Sequence, residues 1–172
     1  MRLKGKRIAI PTEEMYHVLE LWYPYYRLRE EGAEPVIVGT GTAPVHYSKD
    51  HYPVTPHTTA DKVSADEFDG MVVPGGYAPD LMRRHPAMLK LVRDIFDQGK
   101  VMGAICHAGW LLVSAGVFKD RKATCFFAIK DDIVNAGAEY VDREVVIDGN
   151  LITSRTPDDL PIFMKTIIEA LA

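Results

Sequence analysis

Several protein classes are excluded by what this chain lacks. It has only two cysteines, Cys106 and Cys125, in 172 residues. That is too few for a disulfide framework, and no Cys/His spacing fits a zinc site. Positive charge is not in excess: 20 Lys and Arg stand against 24 Asp and Glu, for a net charge of −4. Nothing therefore favours nucleic acid or an anionic membrane. No apolar run approaches the roughly 20 residues that a bilayer span needs. The basic start, Met1 to Arg7, leads into an apolar stretch that stops at Pro11, too short for a signal peptide. The expected setting is a reducing cytoplasm with both thiols free. No Gly-x-Gly-x-x-Gly or Walker pattern follows a strand, which argues against a nucleotide binder. Repeats, low-complexity tracts and linkers are absent too.

The composition that remains, 47% hydrophobic and 26% charged, is that of an ordinary globular protein. One domain, residues 1–172, is expected, with a substantial core. Short apolar runs alternate with amphipathic segments. Strands are predicted at 7–11, 34–39, 69–74 and 101–106, and another at 122–127. Helices are predicted at 17–31, 86–98, 108–115, 130–136 and 157–171. Pro24 lies inside the first helical pattern, which predicts a kink there or a helix starting near it. Residues 41–66, polar and rich in Thr, His and Pro, read as a loop with short strands. Segments 139–147 and 151–155, joined by Asp148-Gly149-Asn150, read as a hairpin. This alternation predicts an α/β fold, a mostly parallel sheet covered on both faces. Sites in such sheets lie at the carboxyl ends of strands. Cys106, Gly75-Gly76 and the residues after Pro11 all fall there.

The run Val101 to Trp110 carries the chemistry. A buried strand ends at Cys106 and turns sharply into a helix. Ala104 and Ala108 supply the small residues that a nucleophile elbow needs two positions on either side. A free thiol titrates near ~8.5, so about 3% is thiolate at neutral pH. A helix N-terminus or a nearby cation is expected to lower that value and expose a reactive thiolate. Free cysteine is also a common small core residue, but the elbow pattern favours the reactive reading. His107 follows directly; neighbouring side chains at a turn seldom bond well, so adjacency alone says little. Gly75-Gly76 is either a plain turn or, with the His107 amide, a set of donors for a developing oxyanion.

Taken together, Pro74-Gly75-Gly76, the Ala104-Ile105-Cys106-His107 elbow, Ser114-Ala-Gly-Val, Arg121-Lys, Ile129-Lys-Asp-Asp, Asn135-Ala-Gly, Asp148-Gly-Asn and Thr153-Ser-Arg resemble the ThiJ/PfpI family. The similarity is nearest to its intracellular-protease branch and covers almost the whole chain. The resemblance implies a flavodoxin-like three-layer α/β/α sandwich related to glutamine-amidotransferase domains. It also implies dimers that can build hexamers. The activities implied are those of cysteine peptidases, cofactor-independent glyoxalases, deglycases and stress chaperones.

Carried over position by position, Cys106 matches the nucleophile and His107 its neighbour. Asp80 matches a carboxylate that reaches the histidine of an adjacent subunit; by itself it would read as a helix cap or a solvated charge. Glu20 matches a carboxyl beside the sulfur, suited to proton transfer and expected to have a raised pKa. Lys49 and Tyr52 match cleft-lining positions. The chain departs from the family pattern at Ala108-Gly109, where Gly-Pro is usual, and at Phe126-Phe127-Ala128, where Tyr-Pro-Gly is usual. A substrate-facing hydroxyl is thus missing at Phe126. His17 stands where relatives are often acidic. Glu13 and Glu14 either compensate or are solvated, and His46, His51 and His57 lie near Lys49 and Tyr52, though a solvated loop explains them as well.

The resulting expectation is a cysteine-dependent hydrolase or lyase needing no metal or organic cofactor. Its substrates would be small peptides or amides, or reactive aldehydes and their adducts. The rival is a non-catalytic stress protein or redox sensor that uses Cys106.

Overall fold

A computed structural model describes residues 1–172. In chain order the elements are β1 (Arg7–Pro11), α1 (Val18–Glu30), β2 (Glu34–Gly39), β3 (His46–Tyr47), β4 (Pro53–Val54), β5 (Thr58–Thr59) and β6 (Gly70–Val73). There follow α2 (Ala78–Met82), α3 (Pro86–Asp97), β7 (Val101–Ile105), α4 (Gly109–Ser114), β8 (Lys122–Ala123) and α5 (Lys130–Asn135). The chain closes with β9 (Glu139–Tyr140), β10 (Val146–Asp148), β11 (Leu151–Ser154) and α6 (Leu160–Leu171).

Seven strands form the main sheet in the order β10-β11-β7-β6-β1-β2-β5. Every pairing is parallel except β10 with β11. The four residues of β6 and the four of β11 are all buried, as parallel strands covered on both faces must be. The helices complete the flavodoxin-like sandwich. α6 seals β7 and β11 with Phe163, Met164, Ile167 and Ile168, none of which reaches solvent. Burying each such side chain contributes about 1.5–3 kcal/mol. β1 and β6 are neighbours, yet β1 leads outward to β2 and β6 leads the other way to β7. Their carboxyl ends form the crevice of a topological switch point.

The structure departs from the sequence expectations in several places. α1 begins at Val18, ahead of Pro24, and continues through it to Glu30. Pro24 sits buried on the core side, where packing offsets the one hydrogen bond it cannot donate. The strand expected over 122–127 is only Lys122–Ala123, and it pairs with Glu139–Tyr140 in a small separate sheet. The hairpin therefore uses Val146–Asp148 alone against Leu151–Ser154. The fourth long strand ends at Ile105, and a single 3-10 turn, Cys106–Ala108, separates it from α4. The short α2 has no periodic signal to announce it.

Candidate active site

The elbow is built by one strained residue. Ile105 is extended, whereas Cys106 has φ +61°, a left-handed conformation that costs a non-glycine residue about 1 kcal/mol. Ala104 and Ala108, the small residues expected on either side, are buried. Contrary to the expectation of an exposed thiol, Cys106 is only 8% exposed.

Gly75 brings three elements together. Its N–H donates to Glu20 Oε2 at 2.7 Å. A Cβ built on Gly75 would lie 2.5 Å from that same oxygen, 3.0 Å from Cys106 Cβ and 3.0 Å from the His107 amide nitrogen. No side chain fits there, so glycine lets α1, the end of β6 and the elbow meet. This corrects the expected oxyanion role of Gly75, whose amide is already given to a carboxyl oxygen. The Gly76 amide makes no backbone bond outside the regular elements, and the His107 amide is directed at the Cys106 sulfur. Gly76, at φ +81°, lies against the Met15–His17 backbone, where a Cβ would come within 2.6 Å of His17 N.

The electrostatics follow from burial. Glu20 is fully buried, and its Oε1 has no hydrogen-bond partner. Burial pushes its carboxyl up to about 7, against the Gly75 amide, Cys106 and the Lys49 charge, all of which favour the carboxylate. Burial, then the charge of Glu20, push the Cys106 thiol upward, opposing the expected depression. The 3-10 turn and a six-residue α4 offer little helix dipole to counter that. Glu20 and Cys106 thus compete for a proton: protonating the carboxyl removes the repulsion that holds the thiol up. Cys106 Sγ lies 3.2 Å from His107 Nδ1. His107 is flanked by Trp110, at 4.9 Å between ring centroids, and stacked on Phe126 at 4.8 Å. Burial, then the Lys49 charge, lower its pKa and so favour the neutral ring.

The remaining expected residues lie at varying distance from the sulfur. Phe126 is at the site, since its N–H donates to the Cys106 carbonyl at 3.2 Å. Lys49 is an exposed residue whose charge is felt at Cys106, Glu20 and His107. Tyr52 packs edge-on against Trp22 at 5.9 Å, on the outer face of α1. Asp80 makes no contact with His107 of its own chain; it bonds Arg84 at 2.5 Å, which holds its carboxyl below the usual range.

Three features were not read as part of a site. His17 caps α1 and has a buried, unpartnered Nδ1. Glu13, expected either to compensate for His17 or to be solvated, and His46, for which a solvated loop was an adequate account, are 4% and 1% exposed and lie 3.0 Å apart. Burial alone would raise Glu13, but His46, Thr40, the Glu14 amide and Thr42 outweigh it and hold the carboxyl at about 2. Tyr16 is fully buried; its hydroxyl donates to the Tyr52 carbonyl at 2.8 Å and accepts from the Trp22 indole at 3.2 Å.

A parallel α/β sheet with a strained cysteine elbow at its switch point, faced by a buried carboxyl, defines a class of cysteine-elbow sandwich proteins. Within that class the chain belongs to the DJ-1/PfpI family, which matches residues 6–170. It is 44% identical over 165 residues to deglycase PfpI of Pyrococcus furiosus, covering 96% of this chain and 99% of that one. It is 38% identical over 169 residues to protein/nucleic acid deglycase 2 of Escherichia coli, covering 97% and 98%. Among solved structures it is similar to a two-domain protein of Anabaena variabilis with DJ-1/ThiJ/PfpI-like and ferritin-like domains. That match has a TM-score of 0.95 and 38% identity, and covers 97% of this chain. The chain spans about half, 48%, of that structure's length. No helix is long and apolar enough to cross a membrane.

Proposed function

We propose that the protein is a cysteine-dependent deglycase: it hydrolyses the adducts that reactive aldehydes such as methylglyoxal form with small amines and thiols. The observation that carries this reading is the Cys106 sulfur, held in a left-handed turn 3.2 Å from His107 and packed against the Glu20 carboxyl's partner, Gly75. The names of the two relatives support the substrate class.

Chemically, the adduct first isomerises. A base, Glu20 or His107, removes the proton from the adduct carbon and returns it to the neighbouring carbonyl carbon, while the adduct hydroxyl gives its proton to that carbonyl's oxygen and becomes the new carbonyl. The product is an acyl derivative of the amine or thiol. Cys106 Sγ then attacks the acyl carbon as its thiol proton passes to the His107 ring, and the amides of Gly76 and His107 face the developing oxyanion. The amine or thiol leaves with a proton from His107. Water cleaves the acyl-enzyme and restores the thiol, for a net yield of free amine or thiol plus a 2-hydroxy acid. Asp80 is assigned to the His107 of a neighbouring copy, so self-association belongs to this reading. The aromatic walls of Trp110 and Phe126 around a nearly buried sulfur suit a small substrate better than a polypeptide.

The test is a paired assay of wild type and Cys106→Ser on methylglyoxal adducts, free methylglyoxal, chromogenic aminopeptidase substrates and casein. Cleavage of the adducts by wild type and its loss in the variant are expected. Equal rates in both proteins overturn the proposal, and casein degradation that depends on Cys106 replaces it with a peptidase. Uptake of two oxygens at Cys106 under mild peroxide, with no turnover of any substrate, replaces it with a redox sensor.

A further inference from the structure

A short backbone seam forms one wall beside the sulfur. Tyr16 bridges Ser48 in parallel and Gly76 in antiparallel fashion. Met15 N–H donates to Tyr47 O at 2.7 Å, and Lys49 N–H donates to Tyr16 O at 3.0 Å. On the other side, His17 N–H donates to Gly75 O at 3.2 Å and Tyr77 N–H to Met15 O at 2.9 Å. This register sets Lys49, His17 and Gly75 in one row across the three segments. Paired ladder positions project their side chains to the same face. At Gly75 that face is known, because a Cβ there would touch Glu20 Oε2 and Cys106 Cβ. The row therefore turns Lys49 and His17 toward the sulfur.

Both side chains are uncommitted. No carboxylate lies within ion-pairing distance of Lys49, while the nearby acids are engaged elsewhere: Glu13 by Thr40, Thr42 and His46, and Glu14 by the Tyr47 amide. His17 Nδ1 is buried with no partner. Two acids act on this pair, Asp50 on His17 and the buried Glu20 on Lys49. At Glu20 and His107 the only fixed side-chain charge that counts is Lys49.

We infer that Lys49 and His17 form a carboxylate-binding subsite over Cys106, so that the preferred substrate is an aldehyde adduct of a small amine or thiol that itself bears a carboxylate. The substrate class rests on the deglycase reading above; the subsite does not. One partly screened charge pair is worth about tenfold in selectivity.

Two measurements test it. The first leaves turnover aside and compares alkylation of Cys106 by iodoacetate and by iodoacetamide, which differ by a carboxylate. Wild type is expected to favour iodoacetate, with a ratio about tenfold above that of free glutathione. Lys49→Met should bring that ratio down to the glutathione value, His17→Gln should lower it in part, and Lys49→Arg should retain it. A wild-type ratio equal to glutathione's, a ratio unchanged in Lys49→Met, or failure of both reagents to alkylate Cys106 overturns the subsite. The second measurement compares kcat/KM for methylglyoxal adducts of N-acetylcysteine and of its amide. A preference for the acid that Lys49→Met removes supports the inference. Cleavage that depends on Cys106 but is equal for acid and amide overturns the substrate preference and leaves the deglycase reading standing. An iodoacetate preference without any cleavage does the reverse: the subsite stands and the deglycase reading falls.

Discussion

Cys106 and His107 are consecutive residues, yet the sulfur of one lies 3.2 Å from Nδ1 of the other. Neighbouring side chains normally diverge. Here φ +61° at Cys106 folds the backbone so that both point into the same crevice. The strain has a measurable size. Cys106→Gly relieves it and Cys106→Ala does not, so the glycine variant should be the more stable by about 1 kcal/mol. Thermal unfolding should show it as a gap of about 2–4 °C. A more stable alanine variant would mean that the turn is relaxed.

Gly75→Ala tests the close approach. The added methyl meets Glu20 Oε2, Cys106 Cβ and His107 N, two of them backbone or near-backbone atoms that cannot swing aside. The expected cost is about 1–3 kcal/mol in urea unfolding. Displacing the thiol from Glu20 should lower adduct cleavage by about 10²-fold.

Glu20→Gln should change the pH dependence of stability. The carboxyl sits at about 7 in the fold and at 4.5 in its ordinary state. Below 4.5 both folded and unfolded chains hold the proton, and burial carries no ionisation penalty. Between 4.5 and about 7 only the unfolded chain releases it, so stability falls with rising pH and levels off above 7. The fall is about 3 kcal/mol by linkage at most. The glutamine variant should lack this slope in urea titrations at pH 5 and pH 8, and its adduct cleavage should drop at both.

Glu13→Gln has the opposite sign. A carboxyl held at about 2 stabilises the fold above 4.5, and the stabilisation disappears as pH falls toward 2. The variant should lose about 1–2 kcal/mol at pH 7, after allowance for solvent screening, and show a flatter acid limb. Equal stability of both proteins at pH 7 would show that the threonines and His46 hold a neutral amide as well as they hold the carboxylate.

Much of this architecture was legible in the chain because parallel strands are written as continuous apolar runs. Arg7–Pro11, Glu34–Gly39 and Val101–Ile105 lie where such runs predict them. The elbow was legible as well, since Ala104 and Ala108 are sterically required around a tight turn. The state of the thiol was not. Its burial and its competition with Glu20 depend on a contact 86 positions apart in sequence, made possible by the missing side chain of Gly75. The burial of His46 was hidden because a histidine in a polar segment looks solvated. Only the fold reveals that Glu13, 33 positions earlier, comes within 3.0 Å of it. The pairing of β8 with β9 was hidden too, because two-residue strands carry no periodicity.

Tyr16 decides how traffic reaches the crevice. With its ring sealed in and its hydroxyl fastened on both sides, it rivets the 47–52 segment to the body of the molecule. Lifting that flap would break the Tyr16–Tyr52 bond together with the backbone bonds of Met15 and Lys49. We expect the width of the resting entrance, rather than the timing of a gate, to set which molecules reach the sulfur.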